Sequence, residues 1–138
     1  SVNNDTKEVR MVSVYRDTTV IVDNDPELLD KLTGILEDTE EIELRGRFEH
    51  PAEVLAIVER EPVDLVFSDV VMPDISGITL AARLAETAHP PKVVLLSDIP
   101  GLSIKTWNIK AFGFVPKPYT RGDIAGMVSL YRESVQGR

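Results

Sequence analysis

The chain has 138 residues, enough for one domain with its own core and without covalent staples. Its 15 basic and 23 acidic residues give a net charge of −8, which argues against direct binding of nucleic acid or an anionic membrane. Cysteine is absent, so disulfides, thiolate chemistry and sulfur-ligated metals are excluded. No stretch approaches the roughly 18 apolar residues of a membrane span and no signal peptide is evident, so a soluble, cytoplasmic protein is expected.

The first 16 residues read as a polar N-terminal arm, followed by one domain over 17–138. Thr18 to Val22 is β-branched and apolar, a buried strand. It ends in Asp23-Asn24-Asp25-Pro26, where Asp25 and Pro26 suit a helix N-cap and first turn. Leu28, Leu29, Leu32, Ile35 and Leu36 then fall on one helical stripe. Glu41 to Phe48 alternates Ile42, Leu44, Gly46 and Phe48 against Glu43, Arg45 and Arg47, as a half-exposed edge strand does. Pro51 to Arg60 is a second helix with Val54, Leu55 and Val58 inward, broken by Glu61-Pro62.

Val63 to Phe67 is a continuous apolar run, the signature of a strand buried on both faces, and it delivers Asp69 to its C-terminal end. Met72-Pro73 and Gly77 turn the chain into a third helix with Leu80, Ala81, Leu84, Ala85 and Ala88 on one face, stopped by Pro90-Pro91. Val93 to Leu96 is a fourth strand, ending in Ser97-Asp98. A short fourth helix is expected to open at Pro100-Gly101, with Ile104, Trp107 and Ala111 inward. Phe112 to Val115 is a fifth strand, placed at an edge because Pro116 lacks a ladder donor. Thr120 to Val135 is a fifth helix carrying Ile124, Met127, Val128, Tyr131 and Val135. Strands alternating with helices over short links predict an α/β domain with a parallel sheet covered on both faces.

In such a sheet, chemistry gathers beyond the carboxyl ends of the strands. Those ends carry Asp23-Asn24, Asp69, Ser97 and Lys117. Clustered carboxyl and amide oxygens suit Mg²⁺. A hydroxyl and an ammonium beside them complete a cradle for a phosphoryl group, and Asp69 becomes a nucleophile able to form an acyl phosphate.

The ordered motifs "VDND", "SDVVMPDISG", "LLSD" and "FVPKPY" resemble the receiver domain of two-component response regulators, over roughly residues 18–135. The 20-residue gap from Ser97 to Lys117, with "PPKVVLLSD" and "KAFGFVPKP", is similar to receivers of the LytTR-type group. The resemblance implies a single doubly wound five-stranded parallel sheet of order 2-1-3-4-5 with five helices, the flavodoxin-like receiver fold. It implies Asp69 as phospho-acceptor, with Ser97 and Lys117 on the phosphoryl oxygens. Mg²⁺ would be held by Asp23, Asn24, Asp69 and the backbone carbonyl of Val71. It further implies a cis Lys117–Pro118 bond and Phe114 as the aromatic switch. The implied partners are a sensor histidine kinase or a small-molecule phosphodonor, and a second copy through the fourth helix, fifth strand and fifth helix. Trp107, Phe114, Tyr119 and Tyr131 concentrate aromatic side chains there, half of them expected in the core. Such a protein is a switch and not a turnover enzyme, with transcription controlled through an output domain outside this chain.

Three residues depart from the family pattern. Asn24 stands where a second aspartate is usual, removing a charge whose attraction to a cation at 4 Å is roughly 4 kcal/mol at an effective dielectric of about 20. Asp98 replaces a small residue, and Phe114 lacks the hydroxyl of the commoner tyrosine. These departures support an alternative, a receiver fold used as a phosphorylation-independent interaction module. A phosphatase or hydrolase would need Asp98 as a second acid or base. His50 and His89 match no metal-ligand spacing.

Overall fold

The computed structural model of the chain describes residues 15–102 and 108–135. The apolar runs form one parallel sheet in the order β2-β1-β3-β4-β5: β1 Asp17–Val22, β2 Ile42–Phe48, β3 Leu65–Asp69, β4 Lys92–Ser97 and β5 Gly113–Pro116. Four helices are present among the described residues, where five were expected: α1 Pro26–Glu37, α2 Pro51–Arg60, α3 Gly77–Leu84 and α4 Arg121–Ser134. The centre of the helix expected between β4 and β5, residues 103–107 with Ile104 and Trp107, lies outside the described residues. Its described flanks are turn and loop, with Gly101 and Asn108 at positive φ.

Period-two alternation explains why the central strands are apolar throughout. Val20, Val22, Val66, Val93 and Leu95 point to one face, where they meet Val54 and Ile57 of α2 and Leu80, Ala81 and Leu84 of α3. Ile21, Leu65, Phe67, Val94, Leu96 and Val115 point to the other, against Leu29, Leu32 and Leu36 of α1 and Ile124, Val128 and Tyr131 of α4. Each such side chain contributes about 1.5–3 kcal/mol when fully buried. The expected inward residues of α2 hold for Val54, while Leu55 and Val58 are half-buried and Ile57 takes the core position.

Two local readings are corrected. On β2 the expected single face breaks, because the register against β1 slips between Thr19 and Val20, pairing Thr19 with Leu44 but Val20 with Gly46. An extra residue reverses the alternation. Ile42 and Leu44 accordingly pack toward α1, Phe48 packs toward the opposite cluster, and Arg47 turns to α1 to pair with Asp30. The stripe of α3 is also shorter than expected, since the helix ends at Leu84 and Ala85 and Ala88 are exposed. Thr87 ends it by placing both its amide (3.2 Å) and its hydroxyl (2.7 Å) on the Leu84 carbonyl.

Helix starts follow the sequence signals. Asp25 accepts from the Glu27 amide with Pro26 at the first helical position, and Thr120 and Asp123 form a reciprocal capping box on α4. Of the expected arm, residues 1–14 lie outside the described residues. Tyr15 donates to Asp64 at 3.0 Å, and Arg16 donates to the Ile42 carbonyl at 2.7 Å.

Gly77 opens α3 directly against the end of β3. A Cβ there would lie 2.1 Å from the Asp69 carbonyl oxygen and 3.0 Å from Ser68 Oγ, so a side chain must push the strand end aside. Gly34, inside α1, has nothing within 4 Å of the same added atom. Gly77→Ala is therefore expected to lose about 1–3 kcal/mol in urea unfolding. Gly34→Ala should gain roughly 0.5–1 kcal/mol. Equal effects of the two substitutions would contradict the close approach of α3 to Asp69.

Candidate functional site

Four strand ends meet at one edge of the sheet. Asp23 follows the last residue of β1, and its amide donates to the Phe48 carbonyl of β2 at 3.1 Å. Asp69 ends β3 opposite Leu96 of β4, and the next amide, of Val70, donates to the Leu96 carbonyl at 3.1 Å. Gly77 N–H then closes the intervening loop on the Val70 carbonyl at 2.8 Å. Ser97 ends β4 opposite Pro116, and its carbonyl accepts from the Lys117 amide at 2.8 Å. The Lys117–Pro118 bond is cis, as the resemblance implied.

This register places Lys117 over both acids. Its ammonium donates to Asp69 Oδ1 at 3.0 Å and to Asp23 Oδ2 at 3.2 Å. Both carboxylates are buried, Asp23 to 1% exposure and Asp69 to 7%. The other Asp23 oxygen, Oδ1, accepts from the Asp25 amide at 2.9 Å. The three groups together carry two negative charges against one positive.

Burial and that imbalance together set the titration behaviour. Burial raises the Asp23 carboxyl above its ordinary value; the Asp25 amide opposes this, repulsion from Asp69 adds to it, and Lys117 offsets part of it. For Lys117, burial lowers the pKa, but the bond to Asp69 and the charges of Asp23 and Asp69 outweigh burial and raise it. Tyr119 is pushed up to about 12, first by burial and then by Asp23, Asp69 and Asp25. The pocket thus favours added positive charge.

Of the residues singled out in the sequence, Asp23, Asp69 and Lys117 come into direct contact. Ser97 lies at the same edge, buried, with its hydroxyl accepting from the Ile99 amide at 3.0 Å. Asn24, Val71 and Asp98 are exposed, Val71 to 63%. Phe114 is half-buried against the α2–α3 face of the sheet. His50 stands at the N-cap of α2 without a side-chain capping bond. His89 lines a groove at the opposite edge of the sheet, between the end of α2 and the start of β4.

Of the four aromatics, half of them expected in the core, Tyr119 and Tyr131 are core residues at 2% and 0% exposure, on the α1–α4 side, with Tyr131 edge-on to Phe112. Trp107 lies outside the described residues. Sequence reasoning missed Lys31, whose ammonium donates to the Tyr119 carbonyl at 2.6 Å and lies 4.6 Å from the centre of the Tyr119 ring. It stands among exposed positions of α1, and nothing in its spacing separates it from an ordinary solvated lysine.

The transcriptional regulatory protein YpdB of Escherichia coli strain K12 is 26% identical over 109 residues, covering 79% of this chain and 45% of that protein. The sensory transduction protein LytR of Streptococcus mutans is 28% identical over 109 residues, covering 76% of this chain and 44% of that protein. The chain therefore spans less than half the length of these relatives, and LytR is in keeping with the LytTR-type likeness. In fold, the chain superposes on the response regulatory domain of protein mrkE from Klebsiella pneumoniae with a TM-score of 0.77, at 22% identity, over 88% of this chain and 99% of that one. The receiver domain of the response regulator NarL from Mycobacterium tuberculosis gives 0.76 at 24% identity, over 90% and 99%. Residues 19–129 match the response regulator receiver domain, and the chain belongs to that family.

Proposed function

We propose that the chain is the phosphorylation-responsive receiver of a two-component pathway and that Asp69 is its phosphoryl acceptor. The observation that carries this reading is the Lys117 ammonium held between the carboxylates of Asp69 and Asp23 at the C-terminal edge of the sheet. One Asp69 oxygen attacks phosphorus, the bond from phosphorus to the donor histidine nitrogen or acyl oxygen breaks, and the donor leaves with that electron pair. Lys117 then turns to the new phosphoryl oxygens. The Ser97 hydroxyl, an acceptor for the Ile99 amide, donates its own proton to them, so both contacts are stronger in the modified state and shift the surface around Phe114.

The donor set fits Mg²⁺, which is satisfied by one or two carboxylates and several waters. Asp23 and Asp69 would hold it, completed by Asn24 and the Val71 carbonyl, and it would neutralise charge developing on the transferred group. Among the described residues no group of three or more Asp, Glu or His side chains could hold a metal, so amide, carbonyl and water oxygens would have to supply the remainder. Reversible modification of its own Asp69, without turnover of a separate substrate, makes this a switch and not an enzyme. No described helix is long and apolar enough to cross a membrane, in keeping with a cytoplasmic partner of a histidine kinase. The relatives named for transcriptional regulation and sensory transduction are more than twice as long as the matched region, which supports transcriptional output through a segment outside this chain. A second copy meeting this one through β5, α4 and the segment between β4 and β5 would read the switch.

Incubation with acetyl phosphate and Mg²⁺, followed by intact mass, is expected to show one added phosphoryl group that Asp69→Asn abolishes. No added mass, or mass retained in Asp69→Asn, rejects Asp69 as acceptor and leaves the interaction-module reading. Asn24→Asp restores a carboxylate at the exposed rim and should tighten Mg²⁺ binding in calorimetry by roughly tenfold, a fraction of the Coulomb attraction left after solvent screening. Unchanged affinity would place Asn24 outside the metal shell.

A third outcome concerns pH. The Asp23 carboxyl is raised when folded, so the native state binds its proton more tightly than the unfolded chain. Ionised Asp23 thus lowers stability at neutral pH, and that loss is recovered as pH falls through the raised value toward the ordinary 3.8. In metal-free buffer Asp23→Asn should melt above the wild type at pH 7, and the gap should close on acidification. A gap that widens would reverse the assigned direction.

A further inference from the structure

The Lys117 ammonium spans two acceptors at once, so its reach depends on where its own segment of chain is held. Its own backbone is fixed on one side by the Ser97 carbonyl. On the other side stands Tyr119, two residues on, whose ring is buried against α1 residues such as Leu29 and Leu32 and whose hydroxyl points to the Leu28 carbonyl at 3.5 Å. Lys31, on the same helix, donates to the Tyr119 main-chain carbonyl at 2.6 Å and lies over the ring at 4.6 Å. The next residue, Thr120, begins the capping box of α4. Segment 117–119 is thus pinned at its start by β4, at its ring and carbonyl by α1, and at its end by α4.

Among these attachments the Lys31 contact is the charged one. An ammonium–carbonyl bond contributes more than a neutral one, and cation–π attraction grows where the ring is shielded from water. It also needs a long flexible side chain in a fixed rotamer, which exposed lysines on a helix otherwise leave free. The ring it covers lies within the field of Asp23, Asp69 and Asp25, so this cation sits beside the acidic pocket without joining it.

We infer that Lys31 is a positioning residue for Lys117: by clamping the carbonyl and ring of Tyr119 to α1, it fixes the segment from which Lys117 reaches Asp23 and Asp69. The kinetic consequence rests on Asp69 being the phosphoryl acceptor; the geometric consequence does not.

The test compares wild type, Lys31→Met, which keeps most of the apolar stem, and Lys31→Arg, which can both donate to the carbonyl and stack on the ring. The order of the Lys117 side chain is read by ¹³Cε relaxation in the unmodified protein, and the maximal phosphorylation rate is read with saturating acetyl phosphate and Mg²⁺. Lys31→Met is expected to free the Lys117 side chain and to lower the maximal rate by about tenfold, the scale on which small misplacements act. Lys31→Arg should restore both. A merely structural lysine would lower the melting temperature in Lys31→Met and leave Lys117 ordered and the rate unchanged, which overturns the inference. Should the wild type take no phosphoryl group, the acceptor reading fails by itself, and the order of Lys117 in Lys31→Met still decides the role of Lys31.

Discussion

Two buried carboxylates sharing one ammonium are the constraint to which the rest of this fold answers. Asp23 and Asp69 stand at the ends of adjacent parallel strands, so their separation is set by the sheet and not by their mutual repulsion. Buried like charges are costly, and a partner recovers that cost only with short bonds and fixed geometry. Lys117 supplies such a partner from the far edge strand, across β4. The β4–β5 register, the Ser97 carbonyl and the core placement of Tyr119 all act on where that one ammonium ends. An edge strand of four residues, the shortest in the sheet, is sufficient because it needs to deliver only this group.

The same geometry explains why the site is poised and not saturated. Burial, with repulsion from Asp69 added, raises Asp23, while the bond to Asp69 and the charge of the two acids raise Lys117. Further positive charge therefore relieves the site, whereas a second ammonium of fixed length would block access to Asp69. A small hydrated cation meets both requirements, which is the physical basis for proposing Mg²⁺ there. The fold gives up stability at this edge, and the two-sided apolar packing of β1, β3 and β4 supplies it elsewhere.

Much of this was legible in the chain. The short β-branched and apolar runs at β1, β3 and β4, bounded by turn residues, read as strands buried on both faces, and the polar residue ending each run marks the reactive edge. Pro116 placed β5 at the margin, since a residue without an amide proton cannot bridge two neighbours. The bulge in β2 was not legible, because a one-residue slip leaves the alternating pattern of Ile42 to Phe48 intact while reversing which half faces which helix. The early end of α3 was hidden because Ala85 and Ala88 continue the helical spacing, and the local bonds of Thr87 to the Leu84 carbonyl leave no mark on the apolar pattern. The aromatics were legible in part: the helical stripe of α4 marks Tyr131 as core, whereas Tyr119, in a motif rich in prolines and charges, declares its burial only in the fold.

Lys31 shows where such reading stops. Its partner is a main-chain carbonyl 88 residues away, and a carbonyl has no identity that a sequence can display. The contact exists because α1 and α4 cover the same face of the sheet, which brings the segment after β5 under the first helix. Residues that bind a substrate must offer a particular chemistry and so declare themselves by type. A residue that holds the backbone of another needs only length and a donor, which lysines across the surface possess. The positioning layer of a site like this one is therefore written in the topology, through which helix lies over which loop, and becomes visible once the sheet order is known.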